Sequence, residues 1–301
     1  MNIRLIDVDG HNFPNLPLMK LSAWHKQQGD TVAWYDPLSD WQQDIDRVYM
    51  SKIFTFTQDY PHPVSAKEII RGGTGYYYPD GGNSLPDEIE HTYPDYGLYP
   101  DLTKNTAYGF LTRGCPRGCD FCIVGKKEGR CSVKVADLSE FWNGQKNIVL
   151  LDPNITACPE WKDLFQQLIN SGARVDFSQG LDIRMMTDEK AEMLMQMKIK
   201  QVHFAWDRYE EKDIVVPRLK AFAERTGWRK QKMGVFVLTN FNTSFEQDLE
   251  RVYIIRDLGY SPYVMIYDKQ NVKRGHDLRR LQRWVNSRVA FSAVEKFENF
   301  K

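Results

Sequence analysis

Single-sign charge, long apolar runs and abundant cysteine are all missing from this 301-residue sequence. Lys+Arg and Asp+Glu number 40 each, so no global field draws the chain onto nucleic acid or an anionic membrane. No apolar stretch approaches the ~20 residues that cross a bilayer, and the opening Met-Asn-Ile-Arg-Leu-Ile-Asp has no apolar signal-peptide core. The expectation is a soluble, cytoplasmic protein with a small-molecule substrate, no membrane partner and no nucleic acid. The five cysteines, three of them within eight positions, are too few and too clustered for the disulfide framework of a secreted domain. They read as metal ligands.

What is present is a globular composition, 42% hydrophobic and 27% charged, with room for one large domain or two unequal ones. Ile3 to Asp7 reads as a strand, Leu18, Leu21 and Trp24 stand at helical spacing, Gly29 ends that helix, and Thr31 to Asp36 reads as a second strand. Arg47 to Met50 and Ile53 to Phe56 are expected to supply one or two more, giving a small Rossmann-like α/β unit over residues 1–75. Residues 76–106, rich in Gly, Pro, Tyr and Asp, read as an aromatic linker that wraps a neighbouring domain or meets substrate. Over residues 107–301 strand-like and helix-like segments alternate: strands near 107–112, 147–151, 174–177, 201–205, 234–238 and 263–267, with helices between. Six such units in series imply a parallel sheet with right-handed crossovers, curled into a full or partial barrel whose chemistry sits where the strands end.

The segment Thr112-Arg113-Gly114-Cys115-Pro116-Arg117-Gly118-Cys119-Asp120-Phe121-Cys122 follows the first of those strands and spaces its thiols as C-x₃-C-x₂-C. Thiolates are the ligands that iron-sulfur clusters prefer, and three of them on a cubane leave one iron for a chelating small molecule. The intervening glycines let the backbone wrap such a cluster and turn N–H groups toward its sulfides. A zinc knuckle is the alternative; it needs a fourth Cys or His, with Cys131 beyond a charged stretch and Cys158 at a helix start as the available thiols.

This spacing, with an aromatic residue just before the last cysteine, resembles the radical S-adenosylmethionine superfamily. The resemblance implies a partial (β/α)6 barrel, a [4Fe-4S] cluster on Cys115, Cys119 and Cys122, and S-adenosylmethionine chelating the unique iron with Phe121 beside it. It also implies reductive cleavage to a 5′-deoxyadenosyl radical, a hydrogen atom taken from substrate, and an electron donor such as flavodoxin or ferredoxin. Carried strand by strand, it places Asp152 and Asn154 at the cofactor amino group and Gln179 and Arg184 after the third strand, with Arg184 suited to a carboxylate. Trp206 and Asp207 follow the fourth strand, with Asp207 near the ribose, and Asn240 follows the fifth. Asp182 and Asp207 are the expected catalytic carboxylates. Asp188 reads instead as a helix cap.

The N-terminal unit resembles a shortened cobalamin-binding-like domain, but Pro14 stands where the lower-ligand motif around His11 has Gly, so cobalamin is not expected. Only Cys131 and Cys158 remain for a second cluster, which disfavours sulfur insertion. Within the superfamily a queuine lyase, which releases a deazaguanine base, is similar in size, in its single cluster and in its aromatic and acidic content. Two other classes stay open. One is a radical enzyme that modifies RNA or a protein and docks through Lys273, Arg274, Arg279, Arg280 and Arg283. The other is a non-enzymatic iron-sulfur or zinc protein that senses or stabilises.

Overall fold

A computed structural model describes all 301 residues, and the chain divides into two compact units, Met1–Val149 and Leu150–Lys301. The first opens with β1 (Asn2–Asp7), α1 (Leu16–Gln27), β2 (Thr31–Trp34), β3 (Arg47–Ser51) and β4 (Glu68–Gly72). All four strands are parallel, in the order β2-β1-β3-β4. The period of two sorts the buried side chains by face: Ile3 and Leu5 pack with Leu18 and Leu21 of α1, while Ile6 packs with Ile45, Val48 and Met50. Helix α1 starts at Asn15, whose side chain accepts from the Leu18 N–H at 3.3 Å, and the chain turns away at Gly29, φ +82°.

The fourth strand is not the expected Ile53–Phe56 but Glu68–Gly72. A parallel neighbour needs a crossover of roughly a dozen residues or more, and Ile53 follows β3 too closely. Its N–H and that of Phe54 donate instead to the carboxylate of Asp9. The aromatic segment then carries α2 (Asp87–Glu90) and α3 (Pro100–Thr103). Ile89 packs with Ile3 and Leu5, and the Tyr99 hydroxyl donates to Asp7 at 2.7 Å. Next come β5 (Thr106–Gly109), β6 (Thr112–Arg113), α4 (Val124–Lys127), β7 (Val133–Lys134) and β8 (Asn147–Leu150), with β5 and β8 hydrogen-bonded neighbours.

In the second unit the rhythm read from the sequence is realised as α5 (Trp161–Ser171), β9 (Arg174–Phe177), α6 (Asp188–Gln196), β10 (Lys198–Ile199), β11 (Val202–Ala205), α7 (Lys212–Thr226), β12 (Met233–Thr239), α8 (Phe245–Asp257), β13 (Ser261–Ile266), α9 (Asp277–Asn286) and α10 (Arg288–Ala293). The class is mixed α/β with parallel sheets. Strands β9 and β10 pair in parallel, and β11, β12 and β13 form a separate parallel sheet. The N-cap of α6 is Thr187, which accepts from Lys190 N–H at 3.3 Å, so Asp188 stands one position inside and pairs with Arg225. On α9, Arg279 and Arg280 donate to backbone carbonyls of Val272 and Phe300, and Arg283 lies over the Phe300 ring. No helix is long and apolar enough to cross a membrane.

Candidate functional site

The cysteine segment is a loop closed at its base. Thr112 and Arg113 of β6 pair antiparallel with Lys134 and Val133 of β7, so the ladder gathers both ends of the stretch holding Cys115, Cys119, Cys122 and Cys131. Cys115 N–H donates to Gly129 O at 3.2 Å, and Cys122 N–H to Cys119 O at 3.0 Å, which makes the last two thiols members of one turn. Helix α4 begins two residues after Cys122. Gly114 is required: its φ is +81°, and a Cβ there would stand 2.1 Å from Cys131 O.

Cys115 and Cys119 are half-buried, Cys122 and Cys131 exposed, and Cys158 is buried. Burial and the bond to Glu160 at 3.2 Å push the Cys158 thiol up to about 11, so it stays protonated and is a poor metal ligand. Five basic residues, Arg113, Arg117, Lys126, Lys127 and Arg130, flank the motif in sequence against Asp120 and Glu128, and Arg113 is bound to Glu128 at 3.1 Å. Their positive excess offsets the negative charge that a thiolate-ligated cluster would bring. No three His, Cys, Asp or Glu side chains are gathered as a single metal ion requires. A cubane takes each thiolate on a different iron, so its ligands do not converge on one point. The donor set, soft thiols on a glycine-relieved loop of positive charge, fits an iron-sulfur cluster. Phe121 is half-buried in the same loop.

Most of the strand-end residues singled out from the sequence belong to the second unit and fall into two groups. In the first, Asp182 accepts from Arg184 through both backbone N–H at 3.0 Å and Nε at 2.6 Å, and the other guanidinium arm meets Glu211. Asn154 Nδ2 lies 3.4 Å from the second Asp182 oxygen, Thr156 donates to Asn154 at 2.7 Å, and buried Lys190 donates to Thr156 O at 2.8 Å. Arg184, expected to take a ligand carboxylate, is held by two carboxylates of the chain itself. Asp152 is buried and Gln179 exposed.

The second group lies at the carboxyl ends of β11 and β12. Arg251 reaches from α8, wholly buried, and donates to Trp206 O at 2.6 Å, Asp207 O at 3.1 Å, Leu238 O at 2.8 Å and Asp248 Oδ1 at 2.5 Å. One side chain thus satisfies carbonyls at two strand ends. The Asp207 carboxyl stands beside it with Oδ1 buried and unpartnered. Burial, only partly offset by Arg251 and Arg184, raises Asp207 to about 6. The indole of Trp206 is core, its N–H donating to Arg208 O at 2.9 Å, and Asn240, φ +63°, donates to Tyr267 O at 2.9 Å.

Arg251, Asp248, Glu211 and Lys190 escape a sequence reading. Asp248 and Arg251 stand three apart on an amphipathic helix, the spacing of an ordinary solvated ion pair, and only burial distinguishes them. No protein-family model matches the chain, and no curated protein sequence matches it.

Proposed function

We propose that this protein is a radical S-adenosylmethionine enzyme. The observation that carries the reading is the C-x₃-C-x₂-C loop, following a short strand, closed by the β6–β7 ladder and running directly into α4. Cys115, Cys119 and Cys122 would hold a [4Fe-4S] cluster, with Phe121 beside the cofactor. When bound and reduced by an electron donor such as flavodoxin or ferredoxin, that group supplies reductive cleavage of S-adenosylmethionine to a 5′-deoxyadenosyl radical. The finer fold reading, a partial six-stranded barrel, belongs to the same proposal.

The chain's own residues then have separable tasks. The basic residues flanking the cysteines, Arg113, Arg117, Lys126, Lys127 and Arg130, would offset the negative charge of a thiolate-bound cluster. The Glu211–Arg184–Asp182 chain fixes the Asp182 carboxylate in one orientation, as a residue that positions substrate needs. Asp207 holds a proton below about pH 6 and releases it above, so at neutral pH Oδ1 is a base without a partner. The substrate is a small polar molecule, and queuine is the first to try because carboxylates and aromatic faces suit a cationic heterocycle.

The test is anaerobic reconstitution with iron and sulfide, reduction with dithionite, and chromatography of 5′-deoxyadenosine for wild type and Cys119→Ala. Product from the wild type alone supports the reading. Bound zinc, with no cleavage under any reducing condition, would make the loop a structural metal site.

A further inference from the structure

In the N-terminal sheet the order β2-β1-β3-β4 means that connections leave β1 and β3 in opposite directions. Open α/β sheets bind ligands in the crevice outside the carboxyl ends at such a reversal. Here the two loops that leave it are tied together. The Asp9 carboxylate, after β1, accepts from the N–H groups of Ile53 and Phe54, the latter at 3.2 Å, and from the Thr57 hydroxyl at 2.6 Å. The loop after β3 is therefore set before any ligand arrives, which lowers the ordering cost of binding.

Aromatic rings leave all four carboxyl ends. His11 follows β1 and packs on Trp34 at the end of β2, ring centroids 4.3 Å apart. Phe54 and Phe56 follow β3, and Tyr76, Tyr77 and Tyr78 follow β4. Phe54 and Phe56 stack on each other at 5.1 Å and 19°, yet remain 45% and 68% exposed. Gly75 brings the β4 loop onto the β3 loop: its N–H donates to Lys52 O at 2.8 Å, and a Cβ there would lie 2.8 Å from Phe54 O. Tyr77 and Tyr78 beyond it are 47% and 61% exposed. Rings this exposed contribute little to a core, and their open faces suit stacking.

We propose that this edge is a binding site for a planar heteroaromatic ring of nucleobase size, which stacks on the Phe54–Phe56 pair beside the tyrosines of the β4 loop. Residues 51–82 carry Lys52, Lys67 and Arg71 against Asp59, Glu68 and Asp80, and Lys127, whose side chain lies against Gly81, stands 3.9 Å from Glu128. That balance offers no track for a phosphate backbone, so the ligand is a small molecule rather than a polynucleotide. The inference stands on the four-stranded N-terminal sheet and the loops that leave it, and does not rest on radical chemistry.

The experiment is isothermal titration of the full chain with guanosine, with S-adenosylhomocysteine present at saturation so that no adenosine site takes part. Saturable binding is expected, with ribose alone giving none. Phe54→Leu and Phe56→Leu, each at an exposed position, should weaken it about tenfold apiece, the factor that ~1.4 kcal/mol of stacking represents. Cys119→Ala should leave it unchanged, which separates failure of this site from failure of the cluster reading. No saturable binding, or affinity indifferent to both leucine variants, overturns the proposal. So does preferential, steeply salt-dependent binding of a single-stranded oligonucleotide, which would make the edge a nucleic-acid surface.

Discussion

Asp207 and Arg251 carry the largest single-residue consequences. In the unfolded chain Asp207 titrates near 3.8, and in the fold at about 6. The raised folded value means that the protonated form is favoured by folding, so its stabilisation is complete below pH 3.8 and is lost as pH rises toward 6. Asp207→Asn should remove that part of the slope, worth about 2–3 kcal/mol between the two limits. Thermal melts of both proteins across pH 3.5–7.5 check this (about that window follows from the two pKa values). Asp7, also raised to about 6 by burial, titrates in the same range in both proteins and cancels in the difference. Arg251→Met should cost about 3–5 kcal/mol, because it leaves Asp248 buried without its partner and uncaps carbonyls of two strands. Urea unfolding measures it. A loss under 1 kcal/mol (about the worth of an exposed pair) would mean that water replaces the guanidinium.

Individual elements were legible wherever a local rule decides them. The helical spacing of Leu18, Leu21 and Trp24 marks α1, and Gly29, φ +82°, marks its end. Thr187→Ala should destabilise α6 by about 1 kcal/mol through loss of its cap, while Asp188→Ala should cost less because its Arg225 pair is exposed. Guanidinium melts of the two variants compare them. Ile53–Phe56 misled because β-propensity describes a residue that fits a half-buried pleat, and the crossover requirement overrides it. In the cysteine loop, Gly114→Ala forces a side chain onto Cys131 O. Reconstituted protein should then show reduced iron content and visible charge-transfer absorption, with far-ultraviolet circular dichroism unchanged.

At the scale of the whole molecule, the proposed cluster would be bound only by the folded protein and would raise its stability by the binding free energy. Anaerobic reconstitution should therefore raise the melting temperature of the wild type and leave that of Cys119→Ala unmoved. Cys158→Ser should keep the rise, since that thiol is buried and bound to Glu160. Residue order along one dimension determines the alternation of strands and helices, the α/β class and the cysteine spacing, because each depends on neighbours a few positions away. Only the tertiary structure decides that Arg184 is held by Asp182 and Glu211, that Arg251 is core while Asp207 keeps an unpartnered oxygen, and that the rings after four strands share one edge. Those facts join residues tens of positions apart, and the burial that sets a charge's partners and proton affinity exists only once the chain has closed around it.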